Sequence, residues 1–419
     1  MTRTDDDRYD GGPSHEEGLY LLEFAGEDDA FARREAAAVA SEVAPLAPGL
    51  ALADGLDERA VRRLAYTRRA NDLLRRADAT VESARTLLAS ASIDRKGTVA
   101  VRARDVRGRT DVDTQRVERE LGAVLVERGF DIDLDAPDHE LRAVFAVPAD
   151  PSAKEGTKSA SAGGEPREKR RTAGADGQTV GNEESGICML GWLAAESVRD
   201  FGERAPTKKP FFQPGSMDPL LARGITNIAG AGPGRTIVDP MCGTGGLLVE
   251  AGLAGSRVVG IDAQAKMVDG ARRNLAHYLG GSDLTGSEPD ENGDANPDGE
   301  GGDDSGGGSG VNETDGRGSE FAVLQGDGTR LPLRESVADG VCVDIPYGRQ
   351  SKIAGDLDSL VASALVEARR LAPRAVIVGD RPWIEAAREA GWVVESTFER
   401  RVHRSLTRHI AVLEPAGLD

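Results

Sequence analysis

The sequence predicts a doubly wound α/β fold in its second half, preceded by smaller α+β material, and three observations support this prediction. From Arg235 onward, short apolar β-branched runs alternate with helical segments, as expected of a parallel sheet covered on both faces. One of these runs leads into a glycine-rich turn that opens a helix. The chain ends in two long runs that are typical of an antiparallel hairpin at a sheet edge.

The first 147 residues contain alternating strands and amphipathic helices but none of the phosphate-binding loops expected of a catalytic core. The elements expected there are, in order, a strand over 19–24, a helix through FARREAAAVASEVA, a helix from Asp57 with Val61, Leu64 and Ala65 on one face, a strand over 98–104, a helix over 113–129, and short strands over 131–137 and 141–147.

In the second half, the expected parallel strands are TIVDP, RVVGID, FAVLQGD, GVCVDIPY and RAVIVGD, followed by the hairpin WVVESTFERRVHRSLTRHIAVLEP. Two segments lack periodic apolar residues and predict disordered insertions, one over 149–186 and one over 282–320. The second segment holds 12 acidic residues against one basic residue, Arg317, and it interrupts an otherwise regular alternation.

The net charge of −19 is unusual for a protein that binds nucleic acid, because phosphate contacts need Lys and Arg. Either the partner is not a nucleic acid, or the acidic surface suits a salt-rich cytoplasm in which screening removes most charge repulsion. We favour the second interpretation, since Arg far exceeds Lys within the basic set. The chain is therefore expected to be halophilic and cytoplasmic.

Other classes of protein are less compatible with the sequence. The three cysteines, Cys188, Cys242 and Cys342, show no CxxC spacing, so neither a disulfide framework nor a metal site is expected. The N-terminal stretch lacks the pattern of a signal peptide, and no apolar run is long enough to span a membrane. The sequence does not determine the oligomeric state, and a monomer is our working assumption.

The most specific motif is DPMCGTGG, which runs from Asp239 to Gly246 between a strand and a helix. Glycines such as Gly243 and Gly245 allow a ligand to approach the backbone closely, and the helix start presents free N–H groups. The motif is neither GxGxxG nor GxxxxGK[ST], and without a lysine it suits a triphosphate poorly. It suits a nucleoside whose sulfonium and amino-acid parts lie over the turn.

Two further acids follow at strand ends. Asp262 ends the second strand, where a doubly wound fold binds the two ribose hydroxyls; for the residue taken alone, the alternative is a solvent-facing cap of the following helix. Asp327 follows the third strand, where it either accepts a hydrogen bond from an adenine amino group or closes an Asx-type turn.

The fourth motif is Asp344-Ile345-Pro346-Tyr347-Gly348, which follows the fourth strand. The lone pair of an exocyclic base nitrogen is delocalised into the ring, so acceptors that bind its hydrogens localise that pair. The carboxylate of Asp344 and a neighbouring backbone carbonyl suit this role, Pro346 fixes the turn, and Tyr347 stacks on a base that has left its helix. A simple strand-ending turn is the alternative for the motif taken alone.

At these residues the chain resembles Rossmann-like class I methyltransferases that act on amino groups, whose signature is [DN]-P-P-[YFW]. More narrowly, RAPTKKPFFQPGSM, DPMCGTGGLLVEAG and HRSLTRHIAVL resemble the archaeal tRNA (guanine-10-N2)-methyltransferase family. The resemblance implies S-adenosylmethionine as the cofactor, tRNA as the partner, and mono- or dimethylation of guanosine 10. The first proline of the signature is Ile345 here.

That family carries ferredoxin-like and THUMP RNA-binding domains before the catalytic domain. The resemblance thus implies a ferredoxin-like domain over 1–60, a THUMP domain over 61–200 and a methyltransferase domain over 201–419. Basic residues that are candidates for contact with RNA are Lys96, Arg102, Arg104, Lys208 and Lys209. The alternative for the first three is a solvated or structural charge, and the alternative for Lys208 and Lys209 is that they position their loop.

Two other functions remain open at this point. A methyltransferase acting on ribosomal RNA guanine, DNA bases or a protein glutamine shares the catalytic signature, although the N-terminal α+β module favours structured RNA. An RNA-binding homologue without activity is suggested by Ile345 and the acidic charge. The presence of Asp239, Asp262, Asp344 and Tyr347 together argues against it.

Overall fold

The structure is a computed structural model in which residues 18–148, 186–280, 284, 320–346, 357–404 and 406–415 are described. It divides into two compact units, and each is built from more than one stretch of chain. The first comprises Met1–Asp29, Ser41–Leu56 and Arg69–Ala195, and the second comprises Ala30–Ala40, Asp57–Arg68 and Glu196–Asp419. The three-domain assignment, with its THUMP domain, stays a prediction. Apart from Gly186, Leu284 and Glu320, the two expected insertions lie outside the described residues.

The described strands are β1 Leu19–Phe24, β2 Glu42–Ala47, β3 Leu50–Asp54, β4 Thr67–Asp78, β5 Thr98–Asp105, β6 Asp131–Ile132, β7 His139–Ala146, β8 Ile187–Glu196, β9 Thr236–Asp239, β10 Arg257–Asp262, β11 Phe321–Gln325, β12 Gly340–Asp344, β13 Ala375–Gly379, β14 Trp392–His403 and β15 Leu406–Pro415. The described helices are α1 Asp29–Ala36, α2 Glu58–Val61, α3 Val81–Ser90, α4 Thr114–Glu127, α5 Pro219–Ile228, α6 Gly246–Leu253, α7 Ala265–Leu279, α8 Leu357–Leu371 and α9 Ile384–Glu389.

The first unit is built on a mixed sheet with the strand order β2-β3-β1-β4-β8-β7-β5-β6. Helices α3 and α4 bury residues such as Leu88 and Leu121 in the same apolar core as Phe145 and Trp192 of the sheet. This arrangement agrees with the α+β character expected of the first half. The carboxylate of Glu23 is buried within this unit, and two arginine side chains form ion pairs with it.

The sequence prediction was wrong in places within this half. The helix expected through FARREAAAVASEVA ends at Ala36, and the following residues form β2 instead. Pro45 explains this change, because the residue before a proline disfavours the helical conformation. A proline is tolerated in β2, since this strand lies at the edge of the sheet. Strand β4 was not expected, because its sequence TRRANDLLRRAD is rich in helix formers whose preference is overridden by strand pairing.

The second helix is also shorter than its pattern suggested. The side chain of Asp57 caps α2 by accepting hydrogen bonds from two backbone N–H groups, but the helix ends at Val61. Val61, Leu64 and Ala65 are nevertheless all fully buried. The apolar face was therefore identified correctly, although only its first residue is helical.

The second unit contains the predicted α/β fold. Its sheet has the order β11-β10-β9-β12-β13-β15-β14; the first five strands in this order are parallel, and β15 pairs antiparallel with both β13 and β14. This confirms the class I methyltransferase fold and the antiparallel C-terminal hairpin. The order reverses between β9 and β12, which opens a crevice beyond the carboxyl ends of these strands, where such sheets bind ligands.

None of the helices in the described ranges is long and apolar enough to cross a bilayer. Among the same residues, no group of three His, Cys, Asp or Glu side chains is arranged to hold a metal ion. The three cysteines are buried free thiols.

Candidate active site

Four carboxylates lie at the carboxyl edge of the parallel sheet in the second unit. Asp239, Asp262 and Asp344 are the last residues of β9, β10 and β12, and Asp327 follows β11. Parallel pairing of β10, β9 and β12 brings their ends to the same edge. The structure therefore brings together all four of the acids singled out in the sequence.

The glycine turn after β9 has the backbone that its sequence requires. Gly243 and Gly245 have positive φ angles of 51° and 75°, a conformation that side chains disfavour. A Cβ added to Gly243 would meet nothing within 4 Å, so there is open space above the turn at this point. At Gly245 the added atom would lie 3.3 Å from the Cβ of Ala271, which shows close packing of α7 below the turn.

Asp262 connects the second strand to this turn. Its Oδ2 accepts a hydrogen bond from the backbone N–H of Gly243 at 3.0 Å, and its Oδ1 accepts one from that of Gln264 at 2.9 Å. A carboxylate can accept about four hydrogen bonds, so both oxygens retain lone pairs for a ligand. The side chain is half-buried beside the turn, and its contact with a ribose stays a prediction.

Asp327 forms the Asx-type turn that was its alternative interpretation. Its Oδ1 accepts hydrogen bonds from the backbone N–H of Thr329 at 2.9 Å and from the Thr329 hydroxyl at 2.8 Å. These hydrogen bonds lower the pKa of the exposed carboxyl. The neighbouring Gly328 packs against the carbonyl of Pro240, so this loop lies beside the glycine turn. A contact between Asp327 and an adenine stays a prediction.

The remaining two acids differ in exposure, with Asp239 fully buried and 24% of the Asp344 side chain exposed. Asp239 is 1% exposed, and burial, together with the charges of Asp344 and Asp262, raises the pKa of its carboxyl well above the usual value. Burial likewise raises the pKa of Asp344 to about 6, while the guanidinium of Arg408 opposes this rise. The Oδ1 atom of Asp344 is buried and has no hydrogen-bond partner among the described residues.

The residue after Asp344 departs from the family signature in a way that the structure explains. The backbone N–H of Ile345 donates a hydrogen bond of 2.8 Å to the carbonyl oxygen of Val378, which a proline has no hydrogen to make. The Ile345 side chain is 1% exposed in the apolar core. The hydrogen bond to β13 and the packing of the side chain thus restrain the backbone at Ile345, as a proline ring would do in the family signature. Pro346 is described next to it, whereas Tyr347 lies outside the described residues.

The segment before α5, with the sequence KPFFQPGSM, lies against the glycine turn. Asn274 of α7 joins the two, because its Nδ2 donates to the carbonyl oxygens of Phe211 at 2.9 Å and Thr244 at 2.8 Å. Its Oδ1 accepts a hydrogen bond from the backbone N–H of Phe211 at 2.8 Å, and the Ser216 hydroxyl lies 3.4 Å from that of Thr244. The sequence analysis did not identify Asn274, since one asparagine in a helix carries no signal by itself.

A second residue missed by the sequence analysis is Arg408 on β15. Its side chain is almost completely buried, and its Nη2 lies 2.9 Å from the carbonyl oxygen of Gly215 and 4.0 Å from Oδ2 of Asp344. The only sequence signal was its place in the segment HRSLTRHIAVL. It contacts the catalytic motif because β15 inserts next to β13, which no local pattern predicts.

A buried network of charges lies next to the segment KPFFQPGSM. Glu250 of α6 forms ion pairs with Arg204 at 2.7 Å and Arg223 at 2.9 Å. Lys209 is 7% exposed next to the start of α6, and burial lowers its pKa. Its predicted contact with RNA phosphates does not agree with this buried position. Lys208 is exposed and lies 3.4 Å from Glu203, and its RNA contact stays a prediction.

The other predicted RNA contacts lie in the first unit. Lys96 is exposed, and Arg102 on β5 donates to the carbonyl oxygen of Leu134 at 2.6 Å. Arg104 pairs with the buried Glu23 at 2.9 Å, so part of its charge is used within the fold. A role of the three in binding RNA stays a prediction.

Comparisons with known proteins identify relatives of the chain. The family model described as RMKL-like, methyltransferase domain (UPF0020), matches residues 206–285. The protein named tRNA (guanine(10)-N2)-dimethyltransferase of Methanothermobacter thermautotrophicus is 30% identical over 321 residues, which cover 75% of this chain and 72% of that protein. The protein of the same name from Pyrococcus abyssi is 28% identical over 221 residues, 52% of this chain and 55% of that protein.

Among solved structures, TrmN from Thermus thermophilus aligns with 95% of this chain and 100% of its own, at 18% identity and a TM-score of 0.43. The identity and coverage of the Methanothermobacter relative establish the relationship. The chain belongs to the tRNA (guanine(10)-N2)-dimethyltransferase family.

Proposed function

We propose that the protein transfers methyl groups from S-adenosylmethionine to the N2 amino group of guanosine in tRNA, at position 10. The observation that carries this proposal is the state of Asp344. It is a partly exposed carboxylate at the end of β12, and its Oδ1 atom is buried without a hydrogen-bond partner among the described residues. An unsatisfied buried acceptor is costly unless a ligand supplies the donor, and an exocyclic amino group is such a donor.

The residues around the glycine turn fit the proposed cofactor. The open space above Gly243 and the left-handed backbone at Gly243 and Gly245 leave room for a ligand close to the main chain. Asp262 retains acceptor capacity for two ribose hydroxyls. The cluster of carboxylates at this edge produces a negative potential, which favours a cationic sulfonium over a phosphate.

S-adenosylmethionine supplies the methyl group as an electrophile, and its sulfonium leaves as a neutral thioether. The contribution of the chain is to prepare the nitrogen. Asp344 Oδ1 accepts one N–H of the amino group, and the carbonyl of Ile345 or Pro346 accepts the other, which localises the lone pair on nitrogen. The N–C bond forms with that pair, after which the nitrogen loses one proton. With a pKa of about 6, Asp344 is ionised at neutral pH and is able to take this proton.

Two features of the proposal depend on the family rather than on the site. Position 10 and the second methylation are taken from the names of the relatives in Methanothermobacter and Pyrococcus. Dimethylation requires that Asp344 still accepts the single remaining N–H after the first transfer. The stacking role of Tyr347 and the grip of a THUMP domain on tRNA belong to the proposal in the same way.

The test is methylation of an unmodified tRNA transcript in high salt, with nucleosides identified by mass spectrometry. We expect N2-methylguanosine first and N2,N2-dimethylguanosine later, and neither in a transcript with adenosine at position 10. The matched control is Asp344→Asn, which keeps the shape of the side chain and removes its charge. Methylation of ribosomal RNA but not tRNA would redirect the substrate assignment. Cofactor and tRNA binding without turnover would favour the RNA-binding homologue that lacks activity.

A further inference from the structure

The guanidinium of Arg408 occupies a position between the catalytic carboxylate and the segment over the cofactor turn. It is 3% exposed, so its charge is almost entirely removed from water. Its Nη2 donates to the carbonyl oxygen of Gly215 at 2.9 Å and lies 4.0 Å from Oδ2 of Asp344. A buried arginine is tolerated only with acceptors around it, and its planar fork can serve more than one acceptor at once.

The two oxygens of Asp344 therefore differ. Oδ2 lies near the positive charge of Arg408, whereas Oδ1 has no partner among the described residues. At 4.0 Å the two groups do not form a hydrogen bond, but the attraction between their charges favours the orientation of the carboxyl group in which Oδ2 faces Arg408, which leaves Oδ1 for a donor. This asymmetry is what a carboxylate needs in order to present one lone pair reproducibly to an amino group.

The same guanidinium is linked to the cofactor side. Gly215, whose carbonyl it binds, is next to Ser216, and the Ser216 hydroxyl lies 3.4 Å from the Thr244 hydroxyl in the glycine turn. A continuous set of contacts thus runs from the turn through residues 215 and 216 to Arg408 and on to Asp344.

We propose that Arg408 is a positioning residue for methyl transfer, which holds the Asp344 carboxylate ionised with Oδ1 available to the amino group and joins it to the segment over the glycine turn. This inference rests on the proposed function. Arg408 itself does not contact the reacting atoms in this scheme. Its effect is exerted through Asp344, and a change at Arg408 must therefore alter how the reaction depends on pH.

The direction of this pH effect follows from the charges near Asp344. Burial raises the pKa of Asp344 to about 6, and the positive charge of Arg408 opposes this rise. Asp239 and Asp262 are the acids at the ends of the neighbouring strands, and the charges of Asp262 and Asp344 raise the pKa of Asp239. Removal of Arg408 leaves the acids without their counter-charge and raises the pKa of Asp344 further. The variant then needs a higher pH than the wild type to ionise this carboxyl.

The first experiment compares single-turnover methyl transfer from pH 5 to pH 9 in Arg408→Met, Arg408→Lys and the wild type. Arg401→Met is the matched control, because Arg401 is an exposed arginine of the same hairpin. In Arg408→Met we expect the rising limb to move to higher pH, with about a tenfold loss at pH 5 for each pH unit that it moves, and partial recovery at pH 9. Arg408→Lys should keep the limb near its wild-type place with a reduced rate.

A loss of rate by the same factor at every pH would show a merely structural role and overturn the proposal, as would an unchanged profile. A second measurement does not require turnover. Titration of the carboxyl carbon of Asp344 by NMR, in protein labelled with carbon-13 at aspartate and assigned with Asp344→Asn, should give a higher pKa in Arg408→Met.

An identical pKa in the two proteins refutes the inference even if both are active. If the wild type fails to methylate tRNA, the proposed function falls, while the titration still decides the relation between Arg408 and Asp344. Should Arg408→Met not fold, Arg408→Gln is titrated in its place, since it retains a side chain that can bind the Gly215 carbonyl.

Discussion

Replacement of the proposed catalytic acid by its neutral isostere is expected to stabilise the fold while it abolishes activity. In Asp344→Asn the partly buried charge disappears, and the side chain keeps nearly the same volume. Compared with the unfolded chain, the native structure disfavours ionisation of this carboxyl, since burial raises its pKa from the usual 3.8 to about 6. Ionisation of Asp344 at neutral pH therefore opposes folding.

The magnitude follows from the same values. A tenfold change in an ionisation constant corresponds to about 1.4 kcal/mol, so a rise from 3.8 to about 6 corresponds to up to about 3 kcal/mol. A folded-state pKa above the unfolded one means that this penalty is absent below pH 4, develops between pH 4 and pH 6, and is complete above pH 6. The asparagine variant should gain the corresponding stability over the same interval.

The assay is urea unfolding of both proteins at a series of pH values in one salt concentration, with methyl transfer to tRNA measured in parallel. The two proteins should have nearly equal free energies of unfolding at pH 4, and the variant should be more stable by about 2–3 kcal/mol at pH 7.5. Methyl transfer should fall at least a thousandfold. A variant that is less stable at pH 7.5, or equally active, would refute the reasoning about Asp344.

Three further predictions concern neighbouring positions. Asp262→Asn should weaken binding of S-adenosylhomocysteine about tenfold to a hundredfold in calorimetric titration, because charge-assisted hydrogen bonds to hydroxyls contribute roughly 1.5–3 kcal/mol, while tRNA binding stays unchanged. Ile345→Pro should lower the free energy of unfolding by about 1 kcal/mol through loss of the N–H bond to the Val378 carbonyl, yet retain methyl transfer; complete loss of activity would show that this bond positions Asp344. Gly245→Ala should cost about 1–2 kcal/mol of stability, since the backbone is left-handed there and the added methyl group contacts Ala271; unaltered stability and cofactor affinity would contradict this account of the turn.

The architecture of the second unit was predictable because its signals are local and repeated. Each parallel strand is a short apolar run, three of the five end in an aspartate, and the runs TIVD and RVVGID coincide with β9 and β10. The first half was less predictable. Strand β4 carries Ala70, Leu73 and Leu74 to the interior through pairing with distant strands, and a sequence window does not reveal those partners.

The same difference between local and long-range signals applies to the candidate site. The turn glycines, Asp262 and Asp344 were singled out because each lies at or just after the end of a strand, in a recognisable motif. Arg408 and Asn274 were not, since their roles depend on β15 lying beside β13 and on α7 packing under the glycine turn. For Lys209 the sequence left two alternatives, contact with RNA and positioning of its loop. The side chain is buried beside Glu250 and Arg204, which favours the second.

The distribution of charge in the second unit is difficult to explain by stability alone. Asp239 is a fully buried acid whose ionisation is opposed further by the charge of the partly buried Asp344, and no positive side chain pairs closely with Asp239 among the described residues. A sequence selected only for a stable fold would replace such groups with apolar or neutral residues. Their presence at the edge of the sheet beside an open glycine turn is understandable if the bound ligands complete the site, a cation over the turn and an amino donor at Asp344. The instability expected from Asp344 is then a direct consequence of the chemistry that the site is proposed to perform.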